Sequence, residues 1–360
     1  MSESAVERAA VGRRFAGREV GVMLALGLLL LVSVVLSLGL GAVDIPPGSV
    51  LHILAAAPFG AESGEANEAV LLGIRLPRVL LGIATGAGLA VAGACLQGLF
   101  RNPLADPQLI GISGGAALAS ASTIVFGGSL IALLPTALAA WVLPGMAFLG
   151  ALLVTSLVYA IAWRRDGLDI ATLLLAGVAI NALTMAGLGL LSFLGDDQQL
   201  RQLSLWLLGS LAAAPWRQVL PLLPIMLLAV LAMIASARAL NAMLLGESEA
   251  FHLGFAVETV KRRLVVLCAL AAGSAVALTG MIAFVGLVVP HLIRLVLGPD
   301  HRTLLPASAL LGASLLLLAD LVARLTVLPA ELPVGVVTAF GGAPFFLWLL
   351  LRRRSGGGVL

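Results

Sequence analysis

The sequence predicts an all-α protein that crosses a membrane ten times, and three observations carry that prediction. Of its 360 residues, 61% are hydrophobic and only 11% are charged. A soluble domain has roughly 25% charged residues, so too little polar surface remains here to cover a globule in water. Apolar runs of about 18 residues or more recur along the chain, each long enough to cross a hydrocarbon core as a helix. The basic residues between those runs fall mostly on one side, as the loops of a polytopic chain require.

The expected spans are residues 20–40, 78–100, 108–126, 131–163, 169–194, 217–237, 264–281, 282–297, 304–325 and 334–351. The first follows a polar, basic segment, residues 1–19. Its 21 uncharged residues exceed the apolar core of a signal peptide, roughly 7–15 residues, so it is expected to be a retained span. Residues 41–77, with "DIPPGS" and "GAESGEANEA", are expected as an outer loop. The second span is rich in Gly and Ala, which lets helix backbones approach closely within lipid.

Between the second and third spans lies "RNPLADPQLIG". Pro103 and Pro107 cannot continue a helix and bias the preceding residues toward extended backbone. The stretch predicts a short, stiff, non-helical corner at the inner face. The fourth span carries Pro135 and Pro144 near its start, which implies a tilt or a loop at its beginning. After the fifth, residues 195–216 begin polar and become amphipathic, predicting a short surface helix. Residues 238–263 are too polar to span and are expected to be helical in pieces. The eighth span is short and is expected to be interrupted by Pro290, His291 and Arg294, a break tolerated only where protein or a wet cavity surrounds it. In the ninth, Asp320 and Arg324 are four apart and can pair. That pair reads equally as self-satisfied or as part of a partner-docking patch. "GLAVAG", ending at Gly93 ten residues before Pro103, and "SAVALTG", ending at Gly280 ten before Pro290, suggest a weak inverted repeat. Chance accounts for it about as well.

Ten spans place both termini on one side. Arg8, Arg13, Arg14, Arg18, Arg101, Arg164, Arg165, Arg238, Lys261, Arg262, Arg263, Arg294, Arg302 and Arg352 to Arg354 share that side, sixteen of the 21 basic residues. Arg75, Arg78, Arg201, Arg217 and Arg324 lie on the other. Positive residues stay cytoplasmic, so both ends are expected inside.

No metalloprotease, nucleophile-elbow or P-loop pattern occurs. Lys261 is the sole lysine, so any ATP that drives the protein must be bound by another chain. The spans hold few ionisable residues, whereas proton- or sodium-coupled carriers need buried carboxylates or unwound ion sites. Two cysteines, Cys95 and Cys268, exclude a disulfide framework. His291 and His301 are expected to bond backbone freed at a helix break rather than to ligate metal, and His52 and His252 in loops rank no higher.

Residues 75–119, "RLPRVLLGIATGAGLAVAGACLQGLFRNPLADPQLIGISGGAALA", together with "LLLAGVAINAL" (173–183), "LLGESEAFHLGF" (244–255), 279–325 and "ELPVGVVTAFGGAPFFLWLLLRR" (331–353), resemble the permease subunits of importers for iron-siderophores, haem and cobalamin, the FecCD-type ABC permeases. The resemblance covers most of the chain from about residue 70. It implies one transmembrane permease domain over 1–360, with ten helices in the type II ABC importer architecture. It also implies a homodimer in the bacterial inner membrane with the solute path on the dimer axis. Two cytoplasmic ATPase subunits would bind ATP and Mg, leaving no cofactor in this chain, and a periplasmic binding protein would deliver solute. No nucleic acid is implied.

The implied roles fall on matching positions. Arg75, Arg78 and Arg324 would meet acidic groups of the binding protein. Asn102 and Leu104 would narrow the inner end of the path, the prolines holding them rigidly. Ile170 and Ala171 match the second constriction, where the family usually has small hydroxyl residues, which implies a more apolar exit. Gly246, Glu247, Ala250 and Gly254 match the segment, within 238–263, that couples to the ATPase. The stretch "GDDQQLRQLSLWLLGSL" looks most like haem permeases, and a path of low polarity suits a flat apolar macrocycle. Ferric siderophores rank second and cobalamin third. The expected mechanism is alternating access driven by the ATPases. Alternatives of another class are a gradient-driven secondary carrier and a passive channel.

Overall fold

A computed structural model of the chain describes residues 3–56, 66–165, 167–212 and 215–355. Parts of the expected outer loop, and two residues of the stretch after the fifth span, lie outside the described residues. In chain order come α1 (Glu3–Gly39), α2 (Pro47–Ala56), α3 (Ala66–Val70), a π-helical turn (Leu71–Arg75), α4 (Leu76–Leu99), a 3-10 turn (Pro107–Ile110), α5 (Ile112–Phe126), α6 (Gly128–Ala132) and α7 (Thr136–Ala162). A two-stranded hairpin follows, β1 (Trp163–Arg164) and β2 (Gly167–Leu168). Then come α8 (Ile170–Leu194), α9 (Asp197–Leu208), α10 (Trp216–Ala235), α11 (Ala237–Leu245), α12 (Glu247–His252), α13 (Val257–Thr279), α14 (Val285–Leu297), α15 (His301–Leu325) and α16 (Val334–Ser355).

Seven helical stretches among the described residues are long and apolar enough to cross a membrane. Three shorter apolar helices, Ile112–Phe126, Val285–Leu297 and Val334–Trp348, take the remaining expected places. The chain is a multi-pass helical membrane protein.

Three features differ from expectation. The polar N-terminal segment continues as helix, so α1 begins at Glu3 rather than near residue 20. The outer stretch 41–77 is partly helical. It contains α2, and the second span begins as early as Ala66. Pro77 lies just inside α4, and the helix widens to π geometry in the turn before it. Pro77 has no N–H to donate to that turn, and a π-turn is one way a helix absorbs the loss. The long fourth span begins after a loop, as its prolines imply: Pro135 precedes the first residue of α7, while Pro144 stays inside that helix.

The third difference is in the eighth span. It is not broken at Pro290. α14 runs through it, and the irregular backbone lies before it, at residues 280–284. A proline at 290 cannot bond the carbonyl of Gly286. That carbonyl sits directly over the backbone of Gly93 in α4, leaving no room there for a Cβ. The two glycines let α14 and α4 touch backbone to backbone, so the unbonded oxygen is covered by protein. Gly93 is thus mid-helix, whereas Gly280 caps α13 at φ 70°. The two glycines therefore sit at different places in their helices.

α4 is the hub of the bundle, packed by α15, α13, α10 and α14. Its buried face includes Leu81, Leu89, Val91, Cys95 and Leu96. Gly86 of α4 and Gly312 of α15 cross at a point where neither has space for a side chain. α5, α7 and α8 form a second group that joins the hub through α13. α9 is the expected amphipathic helix. Asp196 accepts from the Gln199 N–H (2.8 Å) while the Gln199 side chain accepts from the Asp196 N–H (3.0 Å), closing a capping box.

Candidate functional site: inner corner, coupling segment and outer arginines

The corner after α4 has the non-helical form its prolines predict. Arg101 takes a left-handed backbone, φ 47°. The Asn102 side-chain oxygen accepts from the Leu104 N–H (2.9 Å), and Asp106 accepts from the Gln108 N–H (2.8 Å) to cap the 3-10 turn. Asn and Asp thus act as turn-makers that satisfy backbone groups the helices abandon. Burial pushes the Asp106 carboxyl up to about 6, against the lowering effect of its bond to Gln108. Leu104 is exposed.

Gln97, in the last turns of α4, was not anticipated. Its amide donates to Ala105 O (3.4 Å) and Leu287 O (3.3 Å), and its oxygen accepts from Arg294 (2.9 Å). One amide therefore fastens the corner to α14. A lone Gln inside a Gly/Ala-rich span was the available signal. The Asn241 oxygen accepts from the His301 N–H (2.9 Å) and lies 2.8 Å from His301 Nδ1. His301 and His291 line an inner cavity of about 650 Å³ with Gln97, Arg101 and Arg294.

Ile170 and Ala171 form the first turn of α8. Asp169 caps that turn, accepting from the Ala171 N–H (3.2 Å). A hydroxyl stands one position further on, at Thr172. Thr172 Oγ1 donates to Asp169 Oδ2 (2.5 Å) and accepts from Arg164 (3.0 Å). The corner reaches α8 further along, where Asn181 donates to Gln108 O (3.0 Å) and the Leu109 carbonyl lies over Gly177.

The stretch 238–263 is helical in pieces. Gly246 separates α11 from α12 at φ 144°, and Gly254 ends the turn after α12 at φ 88°. Both conformations are ones only glycine takes without strain. Ala250 is fully buried and seats the helix, while Phe251 is 68% and Leu253 60% exposed. Glu247 is held by Lys261 at 2.6 Å. Lys261 itself is buried and also binds Glu258 (2.9 Å).

Arg75, Arg78 and Arg324 are brought to one place, where α4 begins and α15 ends. All three are buried. Arg75 donates to the carbonyls of Leu38 (2.6 Å), Gly39 (2.7 Å) and Val43. Arg78 bonds Asp320 (2.9 Å) and Glu331 (2.9 Å). Arg324 pairs with Asp320 (3.2 Å) and donates to Ser37 O and Leu40 O, both at 3.2 Å. The expected Asp320–Arg324 pair is therefore present and is one edge of a larger network. A guanidinium taken from water needs a partner, and here the chain supplies it. The group this cluster shows to solvent is Glu331.

The FecCD transport family matches residues 29–352. The chain is 46% identical over 335 residues to the hemin transport system permease protein HmuU of Yersinia pestis, covering 92% of this chain and 96% of that one. It is 43% identical over 310 residues to the cobalamin import system permease protein BtuC of Halobacterium salinarum, covering 86% and 80%. It is 39% identical over 343 residues to the iron(3+)-hydroxamate import system permease protein FhuG of Bacillus subtilis, covering 92% and 97%. Among solved structures, a metal-chelate type ABC transporter in an inward-facing conformation superposes with a TM-score of 0.79 at 31% identity, over 92% of this chain and 99% of that one. The chain belongs to the FecCD transport family and is an ABC importer permease.

Proposed function

We propose that this FecCD-family permease carries haem inward across the bacterial inner membrane, as a homodimer with both termini in the cytoplasm. Two ATPase subunits bind ATP and Mg and drive it, and a periplasmic binding protein feeds it. The relative at 46% identity that transports hemin carries the choice of cargo. Cobalamin is the competing cargo, because the Halobacterium salinarum relative at 43% identity is a cobalamin import permease.

The exposed Phe251 and Leu253 beside α12 support the ATPase partner. Phe251 on this six-residue helix and Leu253 at its C-terminal cap, two large exposed apolar side chains outside the spans, need a protein to cover them. Gly246, Glu247, Ala250 and Gly254 shape that contact. At the inner mouth, Asn102 and Leu104 on the corner and Ile170 and Ala171 at the start of α8 form the gate, with Thr172 and Asp169 bracing the second pair. On the outer face the binding protein docks over the ground that Arg75, Arg78 and Arg324 hold together. Those arginines act by fixing the backbone at 37–43 and the carboxylates of Asp320 and Glu331. ATP binding closes the ATPases, α12 moves, and the gates open in turn. A wall of few polar groups grips the solute weakly, which leaves selection to the binding protein.

Reconstitution of the chain with its ATPase and a haem-binding protein in proteoliposomes tests this. Haem uptake should require ATP and both partners. Uptake by the permease alone on a proton or sodium gradient would overturn the ATP-driven reading, and ATP-dependent uptake of cobalamin in place of haem would overturn the cargo.

A further inference from the structure

The sole lysine joins three elements, α12, α13 and the β1–β2 hairpin. Lys261 lies in the second turn of α13, 2% exposed. Its ammonium donates to Glu247 of α12 at 2.6 Å and to Glu258, one turn back in α13, at 2.9 Å, and lies 3.5 Å from Leu168 O of β2. Glu258 uses its other oxygen to accept from the Leu168 N–H at 2.8 Å. Gly167, at φ 116°, lies so close to the Glu258 carboxylate that a Cβ there would collide with it. The hairpin is therefore clamped to α13 through both backbone groups of Leu168. The next residue is Asp169, whose N–H bonds Ala162 O (3.1 Å) and whose carboxylate caps α8 and binds Arg164 (3.3 Å) and Thr172 (2.5 Å).

We propose that Lys261 is a positioning residue that transmits ATPase motion from α12 to the inner gate. It acts through Glu258 and the β1–β2 hairpin on the first turn of α8. This rests on the reading of α12 as the ATPase-docking helix and of Ile170 and Ala171 as gate residues. The chemistry suits a transmission. An ammonium held by two carboxylates in a nearly dry site resists separation. Displacement of Glu247 is thus passed to Lys261 before the pair breaks. The carboxylates are themselves half-exposed, 47% for Glu247 and 38% for Glu258 on their side chains. They can therefore move against solvent while the lysine stays covered. Few backbone contacts join α12 to α13 otherwise, since α12 has only six residues.

The test uses the assembled permease–ATPase complex in lipid, with two variants. Lys261→Met removes the knot's centre while keeping its length and apolar stem. Glu258→Ala releases the hairpin but leaves Lys261 on Glu247. Neither side chain belongs to the exposed face of α12. Two quantities are read: haem taken up per ATP hydrolysed, and the change in amide hydrogen exchange over residues 163–171 when nucleotide binds. Each variant should lower uptake per ATP by about tenfold, within the range of typical coupling free energies, and should abolish the nucleotide-induced change in the hairpin. Uptake and hydrolysis falling together at a constant ratio would show a merely structural role and overturn the proposal. So would a hairpin that responds to nucleotide as the wild type does. The exchange measurement needs no transported solute, so failure of the haem reading would show in the wild-type uptake arm and leave this test standing.

Discussion

The outer arginine cluster and the inner lysine knot solve the same problem in opposite ways. Each holds cations away from water by carboxylates. At the outer end, Arg78 and Arg324 share Asp320, whose side chain is 2% exposed, and Arg75 is satisfied by backbone carbonyls of the α1 end and the segment after it. Planar guanidiniums with several donors each fix geometry as well as charge. The result joins α1, α4 and α15 within the hub. At the inner end a single ammonium meets two carboxylates that both reach solvent, and it joins elements that otherwise touch little. Burial of the shared carboxylate as well as the cations makes a fixed joint, whereas carboxylates open to solvent let the lysine knot shift as a unit without coming apart.

The comparison can be broken most sharply at Asp320. Asp320→Ala leaves two guanidiniums buried without their shared carboxylate. Breaking a buried pair in this way costs about 3–5 kcal/mol, so little folded permease should be recovered from membranes by detergent size-exclusion chromatography. Recovery at the wild-type level would mean the outer cluster is not a fixed joint. The inner counterpart is milder. Phe251→Ala should preserve the folded permease and weaken ATPase docking by about 2 kcal/mol, the size of an interface hot spot, measured as the ATPase concentration for half-maximal stimulated hydrolysis. Unchanged docking would remove α12 from the contact.

The smallest effect sharpens the contrast between joint and corner. The carboxyl of Asp106 has its folded pKa raised from 3.8 to about 6. Between those values the folded state keeps a proton that the unfolded chain has lost, so this group's contribution to stability falls as pH rises through that window. Asp106→Asn keeps the turn-capping oxygen and removes the titration. The melting temperature of the wild type relative to this variant should therefore drop from pH 4 to pH 7 in detergent. A difference independent of pH would refute the shift.

Much of the site was legible residue by residue. Two prolines with Asn and Asp at 101–107 announce a corner because each residue's conformational preference is local. The spacing of Asp320 and Arg324 announces a pair for the same reason, and the glycines at 246 and 254 announce breaks. Arg78 joining Asp320 across 242 residues was not legible, nor was Lys261 holding Glu247 and the hairpin together. Nothing local tells an arginine which carboxylate it will meet once two helices pack. The resemblance to known permeases pointed to Arg75, Arg78 and Arg324 as docking residues, but not to their burial or to the bonds each makes within the chain. Pro290 misled for a similar reason. A proline weakens a helix locally, yet the carbonyl it frees is covered by α4 through Gly93.

Composition and the placement of basic residues alone determined the class, the number of apolar segments and the absence of a fuel-binding loop, because burial in lipid and charge at its borders act on each segment independently. Which carboxylate satisfies which cation, where irregular backbone is tolerated, and how α12 is tied through Lys261 to the β1–β2 hairpin were decided only by tertiary structure. Those depend on distances between segments far apart in the chain, which exist only once the helices have packed.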